Sequence, residues 1–173
     1  MVLYDKREKI NEIPAKGEKI MLDSVDKKIL SCLSANARMN ASSIGAEINM
    51  SVSAVIERIK KLESSGVIQK YTIVTDPSKL GRDVLAFVEV GTDNMKQADV
   101  TDPVQAFAAS HDEVIECHIV TGSSDFLLKV CIDSTRALQE LLQELKGVQG
   151  VTTTKTSVVM STTKSDYLGM TFV

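Results

Sequence analysis

Apolar residues recur at helical spacing through the first third of the chain. Val25, Ile29, Leu30 and Leu33 share one face of a helix predicted over Ser24 to Ala35, and Asp23 or Ser24 is placed to accept hydrogen bonds from its open N–H groups. A shorter helix is predicted over Ala41 to Ile48, with Asn40 as its cap and Ile44 and Ile48 inward. Asn49 follows; asparagine tolerates left-handed backbone better than most residues and suits a sharp turn. Ser51 caps a third helix, which Gly66 stops. At about 100° per residue, Val52, Val55, Ile56, Ile59 and Leu62 fall on one side of it and are read as inward. Ser53, Ala54, Glu57, Arg58, Lys60 and Lys61 fall on the other side. Two helices, a tight turn and a third helix form a helix-turn-helix, with the third helix in the recognition position.

After Gly66 the pattern changes. "VIQKYTIVTD", Val67 to Asp76, is rich in branched and aromatic residues and predicts a strand, followed by the turn "DPSKLG". Strands are then predicted over 83–90, 113–120, 126–132 and 151–160. Between them, Pro103 opens a helix to Ser110, and Ser134 caps a helix with Leu138, Leu141, Leu142 and Leu145 on one stripe. Gly91 to Thr101 reads as a polar loop, and "TGSSD" as the turn joining the second and third of these strands. The order βαββαβ is the split βαβ of ferredoxin-like folds. The predicted class is α+β: an N-terminal helix-turn-helix, winged-helix-like domain and a C-terminal ferredoxin-like βαββαβ domain. Residues 1–20 read as an arm, 21–66 as the helix-turn-helix domain, 67–82 as hinge strand and linker, and 83–173 as an effector-binding and oligomerisation domain. Two helices cover one face of such a sheet, and strands this apolar predict a second subunit on the other.

Charge divides along the same line. Residues 1–20 hold five basic and four acidic groups, residues 21–72 seven and five, and residues 73–173 eight and fourteen, within a net charge of −3. A basic front suits a polyanion and an acidic rear does not. No apolar run approaches the roughly 18–20 residues of a membrane-spanning helix. The charged N-terminus "MVLYDKREKINEIPAKGEKI" lacks a signal-peptide core, so a cytoplasmic location is expected.

The third helix carries the candidate chemistry. Small residues sit at the start of its exposed face, where a helix approaches a groove closely, and basic residues follow, where phosphates run. Its plainer reading is a solvated surface with Glu57 and Lys61 as an i,i+4 pair. Elsewhere the signals are sparse. Cys32, Cys117 and Cys131 are far apart in sequence, without a CxxC pair or a histidine cluster, and read as reduced thiols. If Glu116–Val120 and Phe126–Val130 form a hairpin, Cys117 and Cys131 come nearly opposite. His111 near a loop and His118 in a strand stand beside no obvious nucleophile, and Gly-rich phosphate loops are missing. No catalytic residue and no metal ligand is assigned, and a binding protein rather than an enzyme is expected.

With the parts in order, the chain resembles the Lrp/AsnC family, the feast/famine regulators of bacteria and archaea, over about residues 21–160. "LDSVDKKIL" is similar to the family's opening helix, and "MSVSAVIERIKKLESSGVIQKYT" to its recognition helix and following strand. "ECHIVTGSSDFLLKV" is similar to its effector-domain hairpin and "GVTTTKTSVVM" to its last strand. The resemblance implies a cytoplasmic transcription regulator that binds double-stranded DNA, dimerises, assembles further into tetramers or octamers, and takes an amino acid as small-molecule effector; no cofactor is implied. By position it places Ser51, Ser53, Ala54, Glu57, Arg58 and Lys61 on the DNA, beside Lys60 from the helix pattern. It places Gly122, Ser123, Ser124 and Asp125 in the effector site, with Thr154 and Thr156 from the last strand. Read alone, "TGSSD" is also a hairpin turn in which Asp125 caps local N–H groups. Two departures stand out: Ser123 and Ser124 replace an acid and a bulkier group, and Asn49 stands where the family often has glycine. A DNA-bending architectural protein without an effector uses the same residues and is the alternative.

Overall fold

The computed structural model describes residues 21–93 and 103–165. The arm 1–20, most of the polar loop after Gly91 and the last residues, 166–173, lie outside the described residues. The chain forms two compact units that part between Ile73 and Val74, inside the stretch read as a hinge.

The first unit holds three helices, α1 (Ser24–Ala35), α2 (Ala41–Ile48) and α3 (Val52–Ser64). Each begins at a side-chain cap. Asp23 caps α1 in a reciprocal capping box with Asp26, Asn40 caps α2 through the Ser43 N–H, and Ser51 caps α3 through the Ala54 N–H. Asn49 takes the left-handed conformation, with φ 58°, and turns the chain from α2 into α3. Ile29, Leu30, Cys32, Ile44, Val55 and Leu62 form the core. Ile29, Ile44 and Val55 are wholly buried, each contributing roughly 1.5–3 kcal/mol.

The second unit is a four-stranded antiparallel sheet with helices on one face. Its elements are β1 (Val84–Thr92), α4 (Pro103–Ser110), β2 (Val114–Ile119), β3 (Phe126–Ile132), α5 (Thr135–Lys146) and β4 (Val151–Val158). The strand order is β2-β3-β1-β4, as the βαββαβ pattern requires. Ala86, Val88 and Val90 of β1 and Phe126, Leu128 and Val130 of β3 pack against Val104 and Phe107 of α4 and Leu138, Leu141 and Leu145 of α5. The alternate residues Leu85, Phe87, Glu89, Leu127 and Lys129 point to the opposite face, which no described element covers.

Two expectations require correction. Val67 to Asp76 is not a strand: it pairs with no other strand among the described residues, and Tyr71, Ile73 and Val74 are exposed. High strand propensity does not make a strand without a partner edge. The hairpin of β2 and β3 forms, but Cys117 lies opposite Leu128, whereas the Cys131 N–H donates to the Glu113 carbonyl and Cys131 pairs with Leu85 on the sheet's other side. A register shift between Val114 and Glu116 contributes to this offset, and all three cysteines are free thiols.

Candidate nucleic-acid interface and effector site

The α3 surface is built from its cap outward. The Ser51 hydroxyl accepts from the Ala54 N–H at 3.3 Å and lies 3.2 Å from the Ser53 hydroxyl, so the first turn presents two small polar groups. Ser51, Ser53, Glu57, Lys60 and Lys61 are exposed, and Ala54 is half-buried. Lys60 and Lys61 make no ion pair with a described residue, so the expected Glu57–Lys61 pair does not form.

Two assignments on α3 shift. Val52 and Ile56, read as inward, are 45% and 42% exposed. The helices α1 and α2 reach only the stripe of Val55, Ile59 and Leu62, and the remaining apolar arc faces outward. Arg58 is not a free cation. Its Nη1 donates to Asp26 Oδ1 at 2.8 Å and also to Asp23 Oδ2, both at the start of α1. The N–H of Asp26, followed by Arg58, holds the Asp23 carboxyl below its ordinary range. The two carboxylates in turn raise the pKa of the Arg58 guanidinium.

In the second unit, the turn 120–125 closes the β2–β3 hairpin, with Gly122 at φ 126°. Gly122 and Ser123 are exposed, and Ser124 and Asp125 are half-buried. Asp125 is no local cap: its Oδ2 accepts from the Thr92 N–H at 2.6 Å and the Thr92 hydroxyl at 3.1 Å, pinning the end of β1 where its register with β4 shifts. Ser124 Oγ donates to Glu89 Oε2 at 3.2 Å, and Lys155 Nζ lies 3.4 Å from Glu89 Oε1. Glu89 and Lys155 pair across β1 and β4 on the uncovered face.

Thr154 and Thr156 do not join this group. They pair with Val90 and Val88, so their side chains lie on the helix-covered face, where Thr156 lines a shallow groove with Leu138 and Leu142 of α5. Of the expected six-residue effector set, Thr154 and Thr156 thus lie on the helix-covered face, apart from the turn that holds the other four. The sequence does not single out Glu89 and Lys155, which join Ser124, or Thr92, which joins Asp125, or Asp23 and Asp26 as partners of Arg58. The alternation of β4 left Lys155 as the visible candidate; choosing between the two faces required the register.

A capped helix-turn-helix on one unit and a half-covered ferredoxin-like sheet on the other define a DNA-binding regulator with a separate sensing or assembly domain. Comparison with known proteins agrees in both halves. Residues 22–69 match the profile described as winged helix-turn-helix DNA-binding, and residues 85–168 that described as the Lrp/AsnC ligand binding domain. The transcriptional regulator LrpB of Bacillus subtilis (strain 168) is 39% identical over 126 residues, 73% of this chain and 82% of that protein. The leucine-responsive regulatory protein of Escherichia coli (strain K12) is 35% identical over 144 residues, 83% of this chain and 87% of that protein. Among solved structures, the feast or famine regulatory protein of M. tuberculosis complexed with L-methionine superposes with TM-score 0.77 and 32% identity, covering 85% of this chain and 97% of that one. A transcriptional regulator of Neisseria meningitidis in complex with L-Met gives TM-score 0.78 at 26% identity, covering 85% and 95%. The chain belongs to the Lrp/AsnC family of DNA-binding transcriptional regulators.

Proposed function

We propose that the chain regulates transcription as a homo-oligomer, a dimer that assembles further, in the cytoplasm and without a reaction of its own. Each dimer offers two α3 helices to successive major grooves about 34 Å apart. Ser51, Ser53, Ala54 and Glu57 face base edges, and Lys60 and Lys61 face phosphates. The observation that supports this most directly is the split of α3 into a buried side, Val55 and Leu62, and an outward side carrying exposed serines and two unpaired lysines. Fluorescence anisotropy of the full chain on duplex DNA tests it. Affinity should fall steeply with salt, and K60A and K61A, each removing one phosphate contact from both α3 helices of the dimer, should each lower the log–log salt slope by about 2. Slopes unchanged in both variants would remove this face from the DNA.

The L-methionine complexes of two similar proteins suggest an amino-acid effector, and in this reading it acts at the turn Gly122–Asp125. Glu89, half-exposed and joined to Ser124 and Lys155, supplies an anion for an α-ammonium, and Lys155 a cation for a carboxylate. Bound more tightly in one assembly than another, the ligand shifts the population of assemblies and hence the DNA geometry. Calorimetry with the twenty amino acids tests this, and E89Q should weaken whichever one binds. A second reading, the effector-independent DNA-bending protein, draws on Asp125, whose carboxylate already serves Thr92. Heat absent for all twenty amino acids would select it.

A further inference from the structure

Arg58 stands in the middle of the α3 sequence that faces DNA, yet its guanidinium turns back to the start of α1. The arrangement there is reciprocal. Asp23 uses Oδ1 to accept from the N–H groups of Val25 and Asp26 and Oδ2 to accept from Arg58. Asp26 uses Oδ2 to accept from the Asp23 N–H at 3.2 Å and Oδ1 to accept from Arg58 at 2.8 Å. Each carboxylate therefore gives one oxygen to the capping box of α1 and the other to α3. Asp26 is the buried polar residue of this unit among the described residues, 7% exposed, and two carboxylates this close repel each other without a cation between them. Arg58 supplies that cation from a distance of more than thirty residues in sequence.

We infer that Arg58 is a positioning residue for DNA binding: it holds α3 to the N-terminus of α1 through Asp23 and Asp26, and contributes to affinity through that clamp rather than through a phosphate or a base. Val55 and Leu62 are the buried residues α3 contributes to the core, with Ile59 packed against it, so apolar contact holds α3 along one stripe. The polar clamp adds a second, lateral hold that fixes the helix about its own axis. The serines at the start of α3 and the lysines toward its end then meet the groove together, and misplacement of a few degrees separates them.

The inference rests on DNA binding by α3 and makes a prediction opposite to that of a direct contact. D26N and D23N each remove a negative charge near the DNA face and release Arg58. If Arg58 reached phosphate, both variants would bind DNA more tightly and show a steeper salt slope. The clamp predicts the reverse: binding weakened by about tenfold in D26N, less in the more exposed D23N, with the salt slope of the parent protein. R58A is expected to weaken binding with the slope unchanged, whereas loss of one phosphate contact from each α3 of the dimer would lower the slope by about 2. The measurement is fluorescence anisotropy of the full chain, at temperatures where circular dichroism shows each variant folded, on a duplex enriched from random sequence by the parent protein. Should R58A not fold, D26N and D23N still decide, because both retain the arginine. K60A and K61A in the same series report on the face itself: unchanged slopes there fail the proposed interface, while tighter binding by D26N overturns the clamp alone.

Discussion

Gly45 sits inside α2, where alanine ordinarily stabilises a helix by about 1 kcal/mol. Here a Cβ would stand 2.6 Å from the Met50 carbonyl oxygen, and the Met50 N–H donates to the Gly45 carbonyl. Both atoms belong to the turn that carries the chain into α3, and a backbone atom cannot swing aside as a side-chain end can. Gly45→Ala is therefore expected to destabilise the protein by roughly 1–3 kcal/mol despite the better helix former. Urea unfolding against the parent protein checks the sign; a stabilised variant would show that the turn has room to give. Asn49, three residues after Ala46, marks the same turn and was legible in the sequence because its left-handed backbone is a property of the residue type. The closeness of Gly45 to Met50 was not legible, because it depends on how α2 and α3 cross.

At the scale of elements, α4 and α5 are joined by a histidine. His111 follows α4, stacks on Phe107 at 4.0 Å, and places Nδ1 2.8 Å from the Phe107 carbonyl and Nε2 3.1 Å from a Glu144 oxygen of α5. Only the doubly protonated ring donates to both acceptors. Burial pulls its pKa down, but the Phe107 carbonyl and the carboxylates of Glu144 and Glu113 outweigh it, and the net shift is upward. A pKa raised on folding contributes stability that is fully present below the unfolded value and is lost as pH rises through the folded value. The stability that His111 contributes should thus be lost as pH rises above the ordinary histidine value of about 6.5, and His111→Gln should flatten that loss in urea unfolding. An equal loss in the variant would assign the trend to other groups. Elements themselves were read well where the signal is local. Asp23, Asn40, Ser51 and Ser134 set helix starts by hydrogen bonds to their own neighbours, and α1, α2 and α4 begin and end where expected. The exposure of Val52 and Ile56 is not legible, because the width of a buried stripe is set by the neighbouring helices, and neither is the face that Thr154 and Thr156 occupy, because register sets it. The 67–76 segment has the composition of a strand, but no strand edge among the described residues pairs with it.

For the whole molecule, the charge asymmetry limits how a single copy can hold DNA. The front half is only slightly basic, and residues 73–173 carry six more acidic than basic groups. One α3 with two lysines makes few phosphate contacts, too few for tight binding at physiological salt. Joining two copies turns the second contact into an intramolecular event and raises affinity by about 10² to 10⁴ without a new interaction. For the homo-oligomer proposed above, the second unit has a candidate surface: the sheet face opposite α4 and α5, where Phe87 is 37% exposed and Leu85 and Leu127 are half-buried, ringed by the Lys129–Glu116 and Lys155–Glu89 pairs. An apolar centre within a polar rim is the anatomy of a protein interface. Phe87→Glu leaves the helix-covered core untouched, since Phe87 points away from it, so the variant should fold. It should elute as a single subunit with light scattering to match, and bind DNA at least about a hundredfold more weakly than the parent while keeping the same α3. A Phe87→Glu protein that remains a dimer would move the assembly surface elsewhere, and one that is monomeric yet binds DNA undiminished would show that a single α3 suffices.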